Sequence, residues 1–277
     1  MTPAQKALWY IESHFAQDIA LEDIAAVAGV TRWHMSRAFG EATGHSVIGY
    51  VRGRRLSEAA KSLAKGAPDI LEVALEAGYG SHEAFTRAFR EQFGVTPEEL
   101  RAARRTDMLK LVEPFKMTDM SYVKLDPPRL ESGKAMLIAG LSQRYKFPDI
   151  AGIPGQWQRF VPHLGHIPGQ VGEEAYGVCT NMDGGEGFDY ICGNAVNSLD
   201  GLPAGLTGIK ISPQKYAVFT HKGHISTIRN SFHTVWNKGL PESGHMAAEA
   251  PFFERYDARF NPQTGQGDVE IWVPVRG

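Results

Sequence analysis

The stretch Arg37-Ala38-Phe39-Gly40-Glu41-Ala42-Thr43-Gly44 returns as Arg87-Ala88-Phe89-Arg90-Glu91-Gln92-Phe93-Gly94, at an offset of 50 residues. Upstream, Ile24–Gly29 (IAAVAG) has its counterpart in Val73–Gly78 (VALEAG). Each copy reads as a short helix, an Ala-Gly corner and a second helix that ends at a Gly. The corners Ala28-Gly29 and Ala77-Gly78 place a small residue where two helices cross, followed by a Gly able to take positive φ. Thr31 and Ser81 are suited to cap the helices that follow. Phe39 and Phe89 fall where an apolar anchor holds the second helix on the first. Two helices joined by a short Gly-containing turn form a helix-turn-helix, and the chain has two.

The remaining helices of this half follow from periodicity. Ser46–Lys65 (SVIGYVRGRRLSEAAKSLAK) carries Val47, Tyr50, Val51, Leu56, Ala59, Ala60 and Leu63 near helical spacing and reads as a long connecting helix interrupted only by Gly53. An opening helix is expected over about 4–15, and Pro97 starts a last one through Arg104.

Composition sets the outer limits. At 277 residues, with 43% hydrophobic and 22% charged residues, the chain has the profile of a soluble globular protein of two ordinary domains. No apolar run approaches the roughly 18 residues of a membrane span. The N-terminus, MTPAQKALWYIESHF, is amphipathic rather than a secretory signal. Cys179 and Cys192 are too few for a disulfide framework, which fits a reducing cytoplasm. A net charge of −2 argues against a non-specific nucleic-acid coat. Any positive surface for DNA must be local.

With these motifs in view, residues 4–105 resemble the DNA-binding domain of the AraC/XylS family of bacterial transcription regulators. The second unit carries the family signature in Ala74, Ala77-Gly78-Tyr79, Ser81, Phe85, Arg87, Phe89, Gly94-Val95-Thr96-Pro97 and Arg101. Arg32-Trp33-His34-Met35-Ser36-Arg37 and Thr43-Gly44-His45-Ser46 match the Rob/MarA/SoxS-like branch. The resemblance implies double-stranded DNA as a partner, RNA polymerase as another, and an activating role.

In a helix-turn-helix the N-terminal turns of the second helix enter the major groove. That surface contains Arg32, Trp33, Ser36 and Arg37 in unit one, and His82, Glu83, Thr86 and Arg87 in unit two. Arginine can bond O6 and N7 of one guanine together, and a carboxylate can accept from cytosine N4. Glu83 stands where the family branch commonly has Gln, which implies an altered base preference. Two non-identical readers on one chain imply an asymmetric site. Arg52 and Arg55 are candidates for phosphate contact, with ordinary solvated charge as the alternative.

After a linker over 108–120, the texture changes to short alternating runs broken by Gly and Pro. Strands are expected at Ser121–Leu125, Lys134–Tyr145, Glu174–Asn181, Asp189–Val196, Gly208–Phe219, Phe252–Tyr256 and Asp268–Pro274. Helices are expected at Pro154–Leu164 and Ile225–Gly239. A strand, a helix bearing Trp157 or Trp236, and a further strand recur, so this half reads as an α+β domain of two similar halves. The domain division is then 1–107, 108–120 and 121–277, in a multi-domain chain with an all-α double helix-turn-helix first.

The second half resembles a GyrI-like effector-binding domain. The resemblance rests on Tyr216-Ala217-Val218-Phe219 leading to His221-Lys222-Gly223, on Trp236, on Phe253-Glu254-Arg255-Tyr256 and on the closing Asp268–Val275. It implies a ligand cleft between the halves, an aromatic wall and an inward carboxylate at Glu254. Trp157, Tyr176, Trp236, Glu254, Tyr256 and Trp272 are the candidate effector residues, suited to an aromatic or amphipathic cation. The alternatives are that the aromatics are core and that Glu254 bonds internal Tyr or His residues. A small-molecule hydrolase using Glu254 and a Tyr, and a protein-binding module, are the competing functional readings. His163-Leu164-Gly165-His166 and His221-Lys222-Gly223-His224 do not form a convincing metal set. No catalytic residue, metal or cofactor is called for, and the chain is expected to be cytoplasmic.

Overall fold

The computed structural model describes residues 1–115, 122–147, 149–182 and 187–276. Seven helices form the first half: α1 (Pro3–His14), α2 (Leu21–Ala28), α3 (Arg32–Thr43), α4 (Val47–Ala64), α5 (Ile70–Glu76), α6 (His82–Phe93) and α7 (Pro97–Ala103). The expected caps are made. The Thr31 side chain accepts from the His34 amide and the Ser81 side chain from that of Ala84. Gly29 and Gly78 turn the corners at φ 72° and 81°, a backbone region that a side chain disfavours.

Each helix-turn-helix unit has its own core. Ile11, Ile24, Met35, Phe39 and Tyr50 fill the first; Leu56, Leu63, Ala74, Phe85 and Phe89 fill the second. Helix α4 contributes to both and so fixes one unit relative to the other. Gly53 does not break it. The missing side chain leaves room for Val112, whose amide donates to Ser57 Oγ at 2.8 Å. The chain after α7 thus runs back along α4 as far as Phe115, whose amide donates to Tyr50 Oη at 3.0 Å. Residues 116–120 of the expected linker lie outside the described residues.

Among the described residues the second half is a nine-stranded antiparallel sheet accompanied by helices. Its strands are β1 (Arg129–Gly133), β2 (Met136–Lys146), β3 (Gln170–Thr180), β4 (Gly187–Val196), β5 (Thr207–Ile211), β6 (Gln214–His224), β7 (Phe252–Tyr256), β8 (Phe260–Asn261) and β9 (Gln266–Val275). Helix α8 (Ile153–Phe160) follows β2. Helix α9 (Ile228–Thr234) follows β6 and continues as a π-helical turn, Val235–Gly239.

The sheet order is β1-β6-β9-β7-β3-β4-β2-β5, with β8 on β9. Reading outward from the central β7–β3 pair gives β3-β4-β2 with α8 on one side and β7-β9-β6 with α9 on the other. This is the expected repeat of two halves. The halves also exchange strands: β1 precedes β2 in the chain but pairs with β6, and β5 precedes β6 but pairs with β2. From Gly133 to Met136 is three residues, at most about 11 Å of chain. The opposite ends of the sheet must therefore come close, and the sheet is strongly curled. Ile138, Val178, Ile191, Ile211, Tyr216 and Phe253 form a separate core on one of its faces.

Two strand expectations change. Tyr122–Leu125 is not a strand, and Ser121 lies outside the described residues. Here the Val123 amide donates to Thr234 Oγ1 at 3.0 Å and Tyr122 stacks on His233, so the segment is held by α9 rather than by a ladder. The expected strand Gly208–Phe219 is two strands, β5 and β6. Pro213, which has no N–H to offer a ladder, sits at the break, and the two pieces part to different neighbours.

Candidate functional site: two reading helices and a carboxylate cleft

Helix α6 presents its first turns openly. His82, Glu83, Thr86 and Arg87 share one shallow outward surface with Arg90 and Glu91. His82 Nε2 is 2.9 Å from Glu98 Oε1 on α7. Glu83 and Arg87 are exposed and free to meet an outside partner. The Glu83 carboxyl lies below its usual range, held there by a backbone amide and by the Ser81 hydroxyl, so it is an acceptor at neutral pH.

Arg52 and Arg55 prove different from each other. Arg52 is half exposed and pairs with Glu91 at 2.8 Å. Arg55 donates to the carbonyls of Phe15 and Gln17, fastening the end of α1 to α4.

Helix α3 is placed otherwise. Arg32 is exposed and reaches Glu22 at 3.5 Å and Glu249 at 3.1 Å. Trp33, His34, Ser36 and Arg37 are all buried, because the second half of the chain covers them. Trp33 meets Trp236 edge-on at 5.2 Å and Phe252 at 5.7 Å. His34 Nε2 lies 2.6 Å from the Trp236 carbonyl and donates to it, and Asn237 Nδ2 donates to the Ala38 carbonyl at 2.9 Å. Burial pulls the His34 pKa down to about 4, so the ring is neutral. One helix therefore serves two cores: Met35 and Phe39 belong to its own unit, Trp33 and Ala38 to the sheet domain.

Arg37 goes deepest. Its side chain is 3% exposed and its Nη2 donates to Glu41 Oε1 at 2.9 Å, a pair four residues apart on α3. The guanidinium carbon lies 4.5 Å from the Phe252 ring centroid, 4.7 Å from Phe188 and 5.6 Å from Phe147. Such faces attract a cation through their quadrupoles. Nε and Nη1 are buried with no hydrogen-bond partner among the described residues. Burial pushes the Glu41 carboxyl up, opposed by Arg37 and Arg229. Gly40, one turn along α3, makes the fit possible: a Cβ there would lie 2.5 Å from Phe147 Cζ.

Behind Arg37 is a buried carboxylate cluster. Tyr190 Oη and Tyr256 Oη each donate to Glu254 Oε2 at 2.7 Å. Trp157 Nε1 donates to Tyr190 Oη at 2.9 Å, and Trp157 packs edge-on against Tyr256 at 5.1 Å. Burial pushes the Glu254 pKa up; the two tyrosine hydroxyls and the positive charge of Arg37 restrain it. The carboxylate lies over β3 at Gly177, its partner in the β3–β7 register, where a Cβ would overlap both Glu254 and Tyr190. The glycine makes room for the Glu254 carboxylate and the Tyr190 hydroxyl.

The sheet separates the six candidate effector residues. Trp157, Glu254 and Tyr256 meet, and Trp236 lies on the same face beside Phe252 and Trp33. Tyr176 and Trp272 are on the other face, both packed on Phe253. There Trp272 Nε1 donates to Glu270, which also pairs with Arg129 and Arg259. Burial would raise the Glu270 pKa, but the bonds from Arg259, Trp272 and Arg129 outweigh it and hold the carboxyl below its usual range. Sequence reasoning passed over Phe147, Phe188 and Glu41; it counted Tyr190 among the aromatic surfaces for a cation but not as a hydrogen-bond donor to Glu254. Strand alternation alone divides Phe253 from Glu254. The β3–β7 register needed to place Tyr176 relative to Glu254 has no local signal.

Comparison with known proteins adds family. Residues 24–103 match the model of a helix-turn-helix domain, and residues 126–276 match that of a GyrI-like small molecule binding domain. The chain is 26% identical over 285 residues to the transcriptional regulator Rob of Salmonella typhimurium, covering 97% of this chain and 96% of that one. It is 27% identical over 293 residues to the right origin-binding protein of Escherichia coli K12, with the same coverage. The multiple antibiotic resistance protein MarA of Escherichia coli K12 is 30% identical over 106 residues, 38% of this chain and 84% of that one. Among the described residues no helix is long and apolar enough to cross a membrane.

Proposed function

The chain belongs to the GyrI-like small-molecule-binding family and carries an AraC-type helix-turn-helix domain, and on that premise we propose that it reads an asymmetric duplex site under control of an organic cation held at Glu254. It is a DNA-binding transcription regulator modulated by a small molecule. The finer reading rests on one observation. Two helices with different faces, α3 and α6, are fixed on a single helix α4, so two half-sites of different sequence are read in one orientation. Arg32, Trp33, Ser36 and Arg37 serve one half-site once α3 is freed from the sheet domain; His82, Glu83, Thr86 and Arg87 serve the other. Arg52 is the candidate phosphate contact, its pairing with Glu91 being exposed and exchangeable. Arg55 is committed to α1.

The effector reading is supported by the buried, tyrosine-held carboxylate of Glu254 and by aromatic walls at Trp157, Tyr256 and Trp236. Such a site favours a compact cation with flat apolar surface. Activation and contact with RNA polymerase follow from the family resemblance. The test is selection of bound duplexes from a random pool by the full chain, followed by transcription from a promoter bearing the selected site. Enrichment of one asymmetric motif supports the reading. A pool bound without sequence preference overturns it.

A further inference from the structure

We infer that α3 and a cationic effector are mutually exclusive occupants of the aromatic site in front of Glu254, Arg37 being the chain's own cation there. This rests on the reading above and names its regulation. The structure has already placed a guanidinium among Phe147, Phe188 and Phe252, within electrostatic reach of Glu254. The helix that delivers it is the one unit one must present to a major groove. With Trp33, Ser36 and Arg37 under the sheet domain, that presentation is blocked. Only α6 remains open for reading.

The docked arrangement is poised rather than optimal. A guanidinium has five N–H donors. Among the described residues, Arg37 is buried with a single hydrogen-bonded partner, and two of its nitrogens find none. A buried cation left short of acceptors carries a desolvation penalty that is not fully repaid. Trp236 Nε1, also buried in the contact, has no acceptor among those residues either. What holds α3 is ring packing, the Asn237 and His34 bonds to backbone carbonyls, and the Gly40–Phe147 fit. A free cation that stacks on the same rings and approaches Glu254 takes the place of Arg37 and releases α3. The coupling is reciprocal: DNA that engages α3 must raise effector affinity by the factor by which effector raises DNA affinity.

Phenylguanidinium is the probe, since it carries the headgroup of Arg37 on a flat ring. Ser36→Cys in the full chain reports exposure of α3 through maleimide labelling. The two native cysteines, both buried, are measured as background in the parent chain. Labelling is expected to be slow without the probe and to rise at least about tenfold with it, which corresponds to a shift of about 1.4 kcal/mol between docked and released forms. Gly40→Gln, a helix-compatible change that Phe147 cannot admit, should give fast labelling without the probe and no further response. Asn237→Ala, on the opposite side of the contact, should act the same way should Gly40→Gln fail to fold. In the otherwise native chain, fast labelling without the probe overturns the inference. Labelling unchanged by the probe up to its solubility limit overturns it equally. Labelling needs no DNA. If Gly40→Gln selects no duplex motif, the DNA reading falls while labelling still judges the competition.

Discussion

Arg37 and Glu41 form an ion pair on one helix face, 2.9 Å apart and each with a 3% exposed side chain, yet the surface that buries them belongs to the other domain. The pair links the helix proposed to read one half-site to the proposed effector site. Its energetics depend on both partners being present.

Removing one partner strands a buried charge. Glu41→Met is expected to destabilise the full chain by about 3–5 kcal/mol in urea denaturation, less whatever release of α3 relieves. The double variant Arg37→Met/Glu41→Met should recover to wild-type stability or above, because both desolvated charges are gone. Additive losses in the double variant would show that the pair is not coupled as the geometry implies.

Arg87 and Arg55 should part company. Arg87→Ala is expected to weaken binding to a selected duplex by about 1–3 kcal/mol and to relax preference at one base pair. Arg55→Ala should leave base preference intact and lower stability by about 1–3 kcal/mol, since it deprives the Phe15 and Gln17 carbonyls of a charged donor. Anisotropy titrations on the selected and a scrambled duplex, with thermal melts, separate the two outcomes.

Acid should loosen α3 through His34. The ring is held neutral at about 4 when docked and regains its ordinary value near 6.5 when free. Above pH 6.5 both forms are neutral and the docked state keeps its full stability. As pH falls from 6.5 toward 4 only the free form takes up a proton, and docking weakens by up to about 3 kcal/mol. Glu41 and Glu254, both raised by burial, act in the opposite direction. The comparison is therefore with His34→Gln, which can still donate to the Trp236 carbonyl without titrating. Labelling of Ser36→Cys should accelerate on acidification by less in that variant, and equal slopes would refute the assignment.

Gly177→Ala tests the room made for the Glu254 carboxylate. The added methyl overlaps the Tyr190 hydroxyl and the Glu254 carboxylate. A loss of about 1–3 kcal/mol in stability is expected, as for overpacking in a dense core. Phenylguanidinium quenching of tryptophan fluorescence should disappear with it. Retained quenching would place the cation elsewhere.

Much of the first half was legible because its determinants are local. The offset-50 repeat, the Ala-Gly corners and the Ser and Thr caps each act within a few residues, and helices α2, α3, α5 and α6 follow from them. Long helix α4 is readable through Gly53, whose role is set by Val112, a residue distant in sequence that lies over it. The strands of the second half were mostly located by alternation, and the paired halves by their tryptophan-bearing helices. Exchange of β1 and β5 between the halves had no signature in the chain, since strand pairing is chosen by partners distant in sequence.

The repeat therefore determined by itself that there are two helix-turn-helix units and which residues head their second helices. Short-range hydrogen bonds, corner geometry and apolar spacing decide those matters within each unit. Whether those residues face outward was decided only by tertiary structure. Arg37 and Arg87 hold the same place in the repeat, yet one lies under three phenylalanine rings and the other in the open. The difference is made by Phe147, Phe188 and Phe252, which come from the second domain and meet α3 only when the sheet has curled and packed against it.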